Sequence, residues 1–323
     1  MTSSVKSGPW SNNGIFLNFD VKRSIGLRAA LASAFFLGLS PIFGRQAILQ
    51  GFPPLGAVAV RTLAATTVVF LALLLFNRRY LYIYPAGLLG CLLAGGINGA
   101  GSLLFYTALA RLNASVGQLL NSTYPLFVAL WLTLDRQPPG KLTLMRLALA
   151  VPAVYLLVQA PAGEMDPAGV LMMLGAAALY ALHLPINQRV LYEMPAPTVT
   201  LYTLAAMTAV VVPAYFTLSR QDPVPAFGAI GWLPVLGLTL VTLFSRLMLF
   251  TGVKHIGGMQ TAIIGLLELL VTMILAFAWL GERLHPVQWA GAVLLMAVVG
   301  LVSLEGPRFQ RAWPRGWLRW LSP

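Results

Sequence analysis

Charge and cysteine are what this sequence has least of. Only 9% of its 323 residues are Asp, Glu, Lys or Arg, and it has one cysteine, Cys91. A water-soluble domain carries about a quarter charged residues, so this chain has too few to cover a water-facing surface. One cysteine excludes an internal disulfide and any cysteine metal cluster. Within its apolar run, Cys91 reads as a small core residue. The three histidines, His183, His255 and His285, are scattered. There is no HExxH, no pair of aspartates within an apolar run, no Gly-x-Ser-x-Gly elbow and no phosphate-binding loop. No metal site, cofactor or nucleotide drive is therefore expected. The period-2 alternation of an outer-membrane barrel is absent as well.

What the chain does have is apolar sequence. Residues of the set AVILMFWYC make up 58% of it, and the mean hydropathy is +0.80. Runs broken by Gly, Pro or charge fall at about 26–48, 54–76, 85–109, 113–134, 142–160, 167–188, 196–218, 228–253, 258–280 and 286–304. Each is long enough to cross a hydrocarbon core of about 30 Å. Lipid offers the backbone no hydrogen-bond partner, so the runs must be helices. The expectation is an all-α membrane protein with ten transmembrane helices.

The net charge of +12 comes from 21 Lys and Arg against 9 Asp and Glu. A basic chain can bind nucleic acid, but these residues lie between apolar runs, where membrane topology explains them. With the N-terminus cytoplasmic, fifteen fall on inner segments and four (Arg45, Arg111, Arg220 and Arg283) on outer ones, leaving Arg61 and Arg246 within spans. This bias predicts both termini inside, in an integral membrane protein of a bacterial inner membrane. Residues 1–24 are mostly polar and read as a cytoplasmic tail. Residues 305–323 place Trp313, Trp317 and Trp320 among arginines, a mixture suited to the headgroup layer.

The sequence repeats. SPIFGRQAIL (40–49) aligns with LPINQRVLYE (184–193), setting Pro41 on Pro185 and Arg45 on Arg189. At the same offset of 144, the fourth run aligns with the ninth. Thr62-Leu63-Ala64-Ala65 recurs as Thr203-Leu204-Ala205-Ala206, with the offset slipped to 141. The chain thus divides into five-helix repeats at 25–160 and 161–304. Five is odd, so the second half must enter the membrane from the opposite side. Two inverted repeats can exchange outward-open and inward-open shapes around a central site.

The segment VKHIGGMQTAIIGLLELLVTMILAFAWLGERLHPVQWAGAVLLMAVVGLV (253–302) resembles the second-half motif of the drug/metabolite transporter superfamily, in its ten-helix EamA-type branch. In that motif a helix with a Glu-Pro pair leads into a Gly-Glu-Arg turn. Gly281-Glu282-Arg283 matches the turn and Glu268 the glutamate, but Leu269 replaces the proline. The first half keeps a proline, in Tyr124-Pro125, and has Asp135-Arg136-Gln137-Pro138-Pro139 in place of the turn. Arg61 resembles a family arginine of the second span. The resemblance covers about 25–304 and implies a two-repeat transporter of small metabolites.

Ionisable and polar groups inside a membrane are site candidates by default. Glu268 is the only acidic residue deep in a span and could hold a proton, a cationic group or a structural partner. Arg61 and Arg246 could each grip an anionic group, pair with Glu268 or snorkel. Tyr180, His183 and Asn187 share a helical face beside Pro185; the histidine could titrate or merely pack. Asn98, Gln118, Asn121 and Tyr124 form a second polar group, which could line a cavity or hold helices together. Pro41 and Pro185 are candidate kinks. Gly95 and Gly99 form a GxxxG pair that suits close helix packing.

The leading expectation is a secondary carrier for a small amino-acid-like or amphipathic solute. It would be an exporter working by alternating access, with lipid around it and protons as a candidate coupling ion. A polytopic membrane enzyme and a passive facilitator or channel are the alternatives. No sequence feature specifies an oligomeric state.

Overall fold

The computed structural model describes residues 12–134, 140–158, 166–219, 223–226, 231–281 and 286–300. Residues 1–11, the Asp135–Pro139 segment, Glu282-Arg283 of the turn motif, Arg220, His285 and the Trp-rich tail lie outside them. Among the described residues there are twelve α-helices, one short 3-10 helix and no strand. The helices are α1 (Asn12–Leu49), α2 (Pro54–Phe76), α3 (Pro85–Arg111), α4 (Ala114–Asn121), α5 (Tyr124–Leu134), α6 (Lys141–Val158), α7 (Pro167–Glu193), α8 (Ala196–Leu218), α9 (Trp232–Ile256), α10 (Gly258–Gly265), α11 (Leu267–Leu280) and α12 (Pro286–Gly300). Seven segments are long and apolar enough to cross a membrane, with α10 and α11 together counting as one.

Proline marks the starts. Pro54, Pro85 and Pro167 open α2, α3 and α7, where the missing amide would have had no intrahelical partner. Asp166 caps α7: its Oδ1 accepts from the Ala168 amide at 2.9 Å. Gly281 ends α11 with φ +72, the left-handed conformation that glycine adopts without a Cβ penalty. The first helix starts earlier than the hydropathy predicts. From Asn12, the first described residue, it is already helical, within the expected tail.

Two of the expected continuous runs are interrupted. Run 113–134 breaks between α4 and α5 at Ser122-Thr123, and run 258–280 breaks between α10 and α11 at Leu266. Ser122 and Leu266 are themselves 144 residues apart. By contrast α1 passes through Pro41 and α7 through Pro185 without interruption.

Loop contacts sort the helix termini into two ends. At the first end Thr198 Oγ1 donates to Tyr80 O at 2.8 Å, Lys254 Nζ donates to Met194 O at 2.8 Å, and Gly26 lies against His255. At the second end Arg45 Nη1 donates to Leu109 O at 3.0 Å, Arg111 pairs with Asp166 at 2.9 Å, and Gly231 lies against Gln50 and Phe52. So α1 enters from the first end and α7 from the second. In the packing, α1 lies along α9 and α3 along α7, with α2 against α8 and α6 against α12. Exchanging each helix with its counterpart in the other half carries the α1–α9 pair into the α7–α3 pair. Outward faces carry exposed Phe35, Leu63, Phe70, Leu171, Leu233 and Leu240, as a lipid-facing surface requires.

The GxxxG pair sits where α3 packs closely on α8. A Cβ on Gly95 would strike the Thr203 carbonyl and lie 2.6 Å from Ala206 Cβ, and one on Gly99 would lie 3.1 Å from Val210 Cβ. Gly96, one residue on, has nothing nearer than 3.9 Å. Gly95→Val should therefore destabilise the protein by about 1–3 kcal/mol through overpacking against backbone, while Gly96→Ala should be neutral. Thermal unfolding in detergent reads the difference; equal effects at the two sites would contradict this packing.

The Arg111 guanidinium and, after it, the Ala168 amide hold the solvent-exposed Asp166 carboxyl below the usual carboxylate range. A lowered folded-state pKa stabilises at neutral pH, and that contribution is lost as pH falls below about 4. Wild type should thus lose a small stability increment between pH 5 and 3 that Asp166→Asn never has. Parallel acid titrations of the two proteins would contradict the assignment.

Candidate functional site

Buried polar side chains converge between the two interruptions. A half-open cavity, whose roughly 600 Å³ of empty space includes open solvent, is lined by residues from α1, α2, α3, α4, α7, α9 and α11. Arg61, Asn98, Gln118, Asn121, Tyr180, Arg246, Glu268 and Pro41 of the sequence-derived candidates lie on its wall. His183, Asn187, Tyr124 and Pro185 do not. Arg61 is seven residues into α2, and Gln118 four residues into α4, counted from starts at the second end. The cavity therefore reaches from the middle of the molecule toward that end.

The two arginines are held differently. Arg61 Nη1 donates to Thr242 Oγ1 at 2.9 Å, and its Cζ lies 4.6 Å from the centroid of the Tyr106 ring. Arg246 Nη2 donates to Asn98 Oδ1 at 3.4 Å, its Nη1 is 3.3 Å from His183 Nε2, and its Cζ is 5.6 Å from the Tyr180 centroid. A guanidinium has no acceptor, so His183 Nε2 must accept. The ring proton then sits on Nδ1, which faces the Tyr180 carbonyl. His183 is thus a neutral bracket behind the cavity wall. Asn187 likewise turns away, accepting from Thr203 Oγ1 of α8 at 3.1 Å. Tyr180, His183 and Asn187 share a face in sequence, but only the first reaches the cavity.

Glu268 lies in the first turn of α11 and is 3% exposed. Free amides and the helix dipole make that position favourable for a carboxylate. Neither arginine comes within 4.0 Å of it; among the described residues the ion pair found is Arg111–Asp166. Among the described residues, four buried side-chain atoms form no well-aligned hydrogen bond: Glu268 Oε1, Arg61 Nε, Gln118 Nε2 and, away from the cavity, Asn187 Nδ2. The first three belong to residues of the same cavity wall. The Gln118 amide lies close enough to the Glu268 carboxyl to act as its donor, which leaves Arg61 Nε as the donor on this wall that a solute would meet. Among the described residues no three of His, Cys, Asp and Glu gather to hold a metal ion.

Tyr124 has a different task. It is the counterpart of Glu268, 144 residues earlier, and opens α5. Its hydroxyl donates to Ala262 O at 3.0 Å and abuts Gly265, so it satisfies a carbonyl at the broken end of α10. At the other interruption Ser122 Oγ donates to Gln118 O at 2.8 Å. Pro125 and Leu269 both fall in the first turn of the half-helix that follows, where a proline forfeits little.

Ser40, Ser102, Tyr106, Thr242 and Ser245 also line the cavity and were missed from the sequence. Asn98, Ser102 and Tyr106 recur at steps of four, and Thr242, Ser245 and Arg246 at three and four. Those helical spacings are the signal that points to one shared face.

A family model described as the EamA-like transporter family matches twice, over residues 24–159 and 167–304. The chain belongs to the EamA-like transporter family. A relative from Bacillus subtilis (strain 168), named "Uncharacterized transporter YwfM", is 24% identical over 212 residues, spanning 64% of this chain and 70% of that protein. A solved crystal structure shares the fold, with TM-score 0.67 and 16% identity, over 90% of this chain and 99% of the other. These names describe membrane transporters rather than enzymes, and a small-molecule substrate in a lipid setting goes with the family.

Removing the Tyr124 hydroxyl would orphan a buried carbonyl. Tyr124→Phe should cost about 1–3 kcal/mol of stability, read by thermal unfolding in detergent. Unchanged stability would mean that the Ala262 carbonyl finds another donor and that the tyrosine is not the cap.

Proposed function

We propose that this EamA-like protein is a secondary carrier that exports a small amino-acid-like or amphipathic solute by alternating access. It crosses a bacterial inner membrane ten times, as two inverted five-helix halves at 25–160 and 161–304, with both termini cytoplasmic. The opposite entry of α1 and α7, the matched interruptions at Ser122 and Leu266, and packing that survives exchange of the halves support this arrangement. Discontinuous helices meeting at the centre of inverted repeats are the usual setting for a solute site.

One observation carries the reading. Three buried polar side chains, Glu268, Arg61 and Gln118, border one central cavity, with Arg61 Nε lacking an acceptor and Gln118 the neighbouring donor for the Glu268 carboxyl. Leaving such groups unpaired inside a protein is costly, and a solute that pairs them would bind there strongly. The donors suit a carboxylate or another acceptor, and Glu268 suits an ammonium group or a transported proton. Arg246 is already occupied by Asn98 and His183, which fits a fixed cationic backdrop better than a mobile grip.

The test is uptake and counterflow in sealed proteoliposomes with a labelled panel of amino acids and related metabolites, with and without a pH gradient. Saturable flux that the gradient drives and that Glu268→Gln abolishes is expected. Arg61→Gln should raise the concentration for half-maximal flux roughly tenfold or more, as loss of a charged hydrogen bond implies. Flux that needs no gradient and survives Glu268→Gln would make the protein a facilitator with a structural glutamate. Product formation without a sealed compartment would replace the carrier with an enzyme.

A further inference from the structure

We infer that the turn between α2 and α3 holds an anionic phospholipid. Arg78 and Arg79 grip the headgroup phosphate, and an acyl chain lies along Val68, Leu71 and Leu75. The site is separate from the central cavity and does not rest on the carrier reading.

The depth of the turn follows from its neighbours. Both α2 and α3 are long and apolar enough to cross a membrane, so residues 77–84 lie at a membrane boundary, the level of lipid headgroups. The backbone there is fixed without help from the arginines. Asn77 N donates to Leu73 O at 3.0 Å, and Tyr80 N donates to Asn77 O at 3.1 Å. Helix α8 ties the turn down: Thr198 Oγ1 donates to Tyr80 O at 2.8 Å and Tyr202 Oη to Leu81 O at 2.6 Å. Arg78 and Arg79 therefore stand on a rigid platform, the 3-10 helix Arg78–Leu81.

The same contacts bring the two guanidiniums to one place. Arg78 Nε donates to Leu74 O at 3.0 Å, and Arg79 Nε donates to Asn77 Oδ1 at 2.8 Å, both at the end of α2. Arg79 Cζ also lies 5.7 Å from the Tyr80 centroid. Using Nε in this way leaves the Nη1–Nη2 edge of each fork for phosphate oxygens. Both side chains are exposed. Neither is in an ion pair; among the described residues the ion pair found is Arg111–Asp166. The sequence has no Asp or Glu between Asp20 and Asp135. Glu193, an acid at this end, lies within electrostatic range of Lys254. Two adjacent like charges repel, and a phosphate between them removes that cost. Arg78 has a structural task as well, since Leu74 O is one of the terminal carbonyls of α2. Arg79 has no such task, because its polar partner is a side chain of the same turn.

Apolar surface leads straight to this pair. Val68, Leu71, Leu75 and Arg78 follow one another at steps of three and four, which sets them along one helix face. Leu75 is 72% exposed and Phe76 85%. From Val68 to Leu75 the face runs about 10 Å. A cationic fork at the headgroup level, continuous with an apolar stripe below it, is complementary to an amphiphile with a negative head. Tyr82, also exposed, adds an aromatic ring at the level where such rings settle. A free phosphate would meet the arginines and leave the stripe unused.

Purified full-length protein in detergent is titrated with short-chain phosphatidylglycerol, and thermal unfolding is followed. A ligand of the folded state raises stability in a saturable way. Phosphatidylcholine of the same chain length and sn-glycerol 3-phosphate run in parallel. Wild type should be stabilised by phosphatidylglycerol and by neither of the others. Arg79→Gln should weaken the apparent affinity about fivefold or more. Lys141→Gln, which removes another exposed charge at a helix start, should leave it unchanged. Equal weakening in the two variants would mean diffuse surface charge and end the proposal, as would an Arg79→Gln protein that binds like wild type. Glycerol phosphate acting as well as the lipid would make the turn a site for free phosphates instead. Phosphatidylcholine acting as well would reduce it to ordinary lipid contact.

Discussion

Backbone hydrogen bonding in a medium without partners is the constraint on which this structure depends. A helix that crosses lipid satisfies its own amides and carbonyls, so every interruption must be met by something nearby. Here there are two, at Ser122-Thr123 and Leu266, each within a run hydrophobic enough to span unbroken. Ser122 caps its own side, and Tyr124 reaches across to cap the other. Free helix ends bring dipoles and unpaired groups to the middle of the molecule. A glutamate is tolerated at that depth because it sits on one of those ends.

The same logic governs the arginines. Each guanidinium on the cavity wall has five donors to place, and neither forms an ion pair with Glu268. Arg61 rests on Tyr106 and Thr242; Arg246 is shared among Asn98, His183 and Tyr180. Holding the two groups apart keeps Glu268 and Arg61 available, whereas a closed pair would have satisfied both and left little reason for a solute to enter. Packing enforces the separation. Thr272 Oγ1 donates to Gly38 O at 2.7 Å, and Gly38 lies against the backbone of Glu268. That contact fixes the start of α11 on α1.

Much of this was legible in the sequence, and the reasons differ by feature. Long apolar runs between prolines fix helix positions, because hydrophobic length and a proline at the first turn are each local signals. Glu268 and Arg61, singled out by the EamA resemblance, and Asn98, Gln118 and Asn121, singled out as polar residues within apolar runs, line the cavity. The interruptions were not legible. Leu266 differs in no local way from its neighbours, and one missing hydrogen bond leaves no trace in hydropathy. Side-chain direction was also hidden: Tyr180 lines the cavity while His183, three residues on, turns behind it toward Arg246. Arg45, counted as a loop charge, instead caps the carbonyl end of α3 from the last turn of α1. That role depends on a tertiary contact that no spacing rule encodes.

The central claim is that the unpaired groups of the cavity are kept for a solute. The most direct check is a thermal-shift titration of purified protein with amphipathic zwitterions, on wild type and on Arg61→Gln. A ligand that binds the folded state alone raises stability with concentration. The account predicts at least one solute that stabilises wild type in a saturable way and does so far more weakly in the variant. A solute that stabilises both proteins equally would be binding elsewhere, and the cavity would lose its claim to be the transport site.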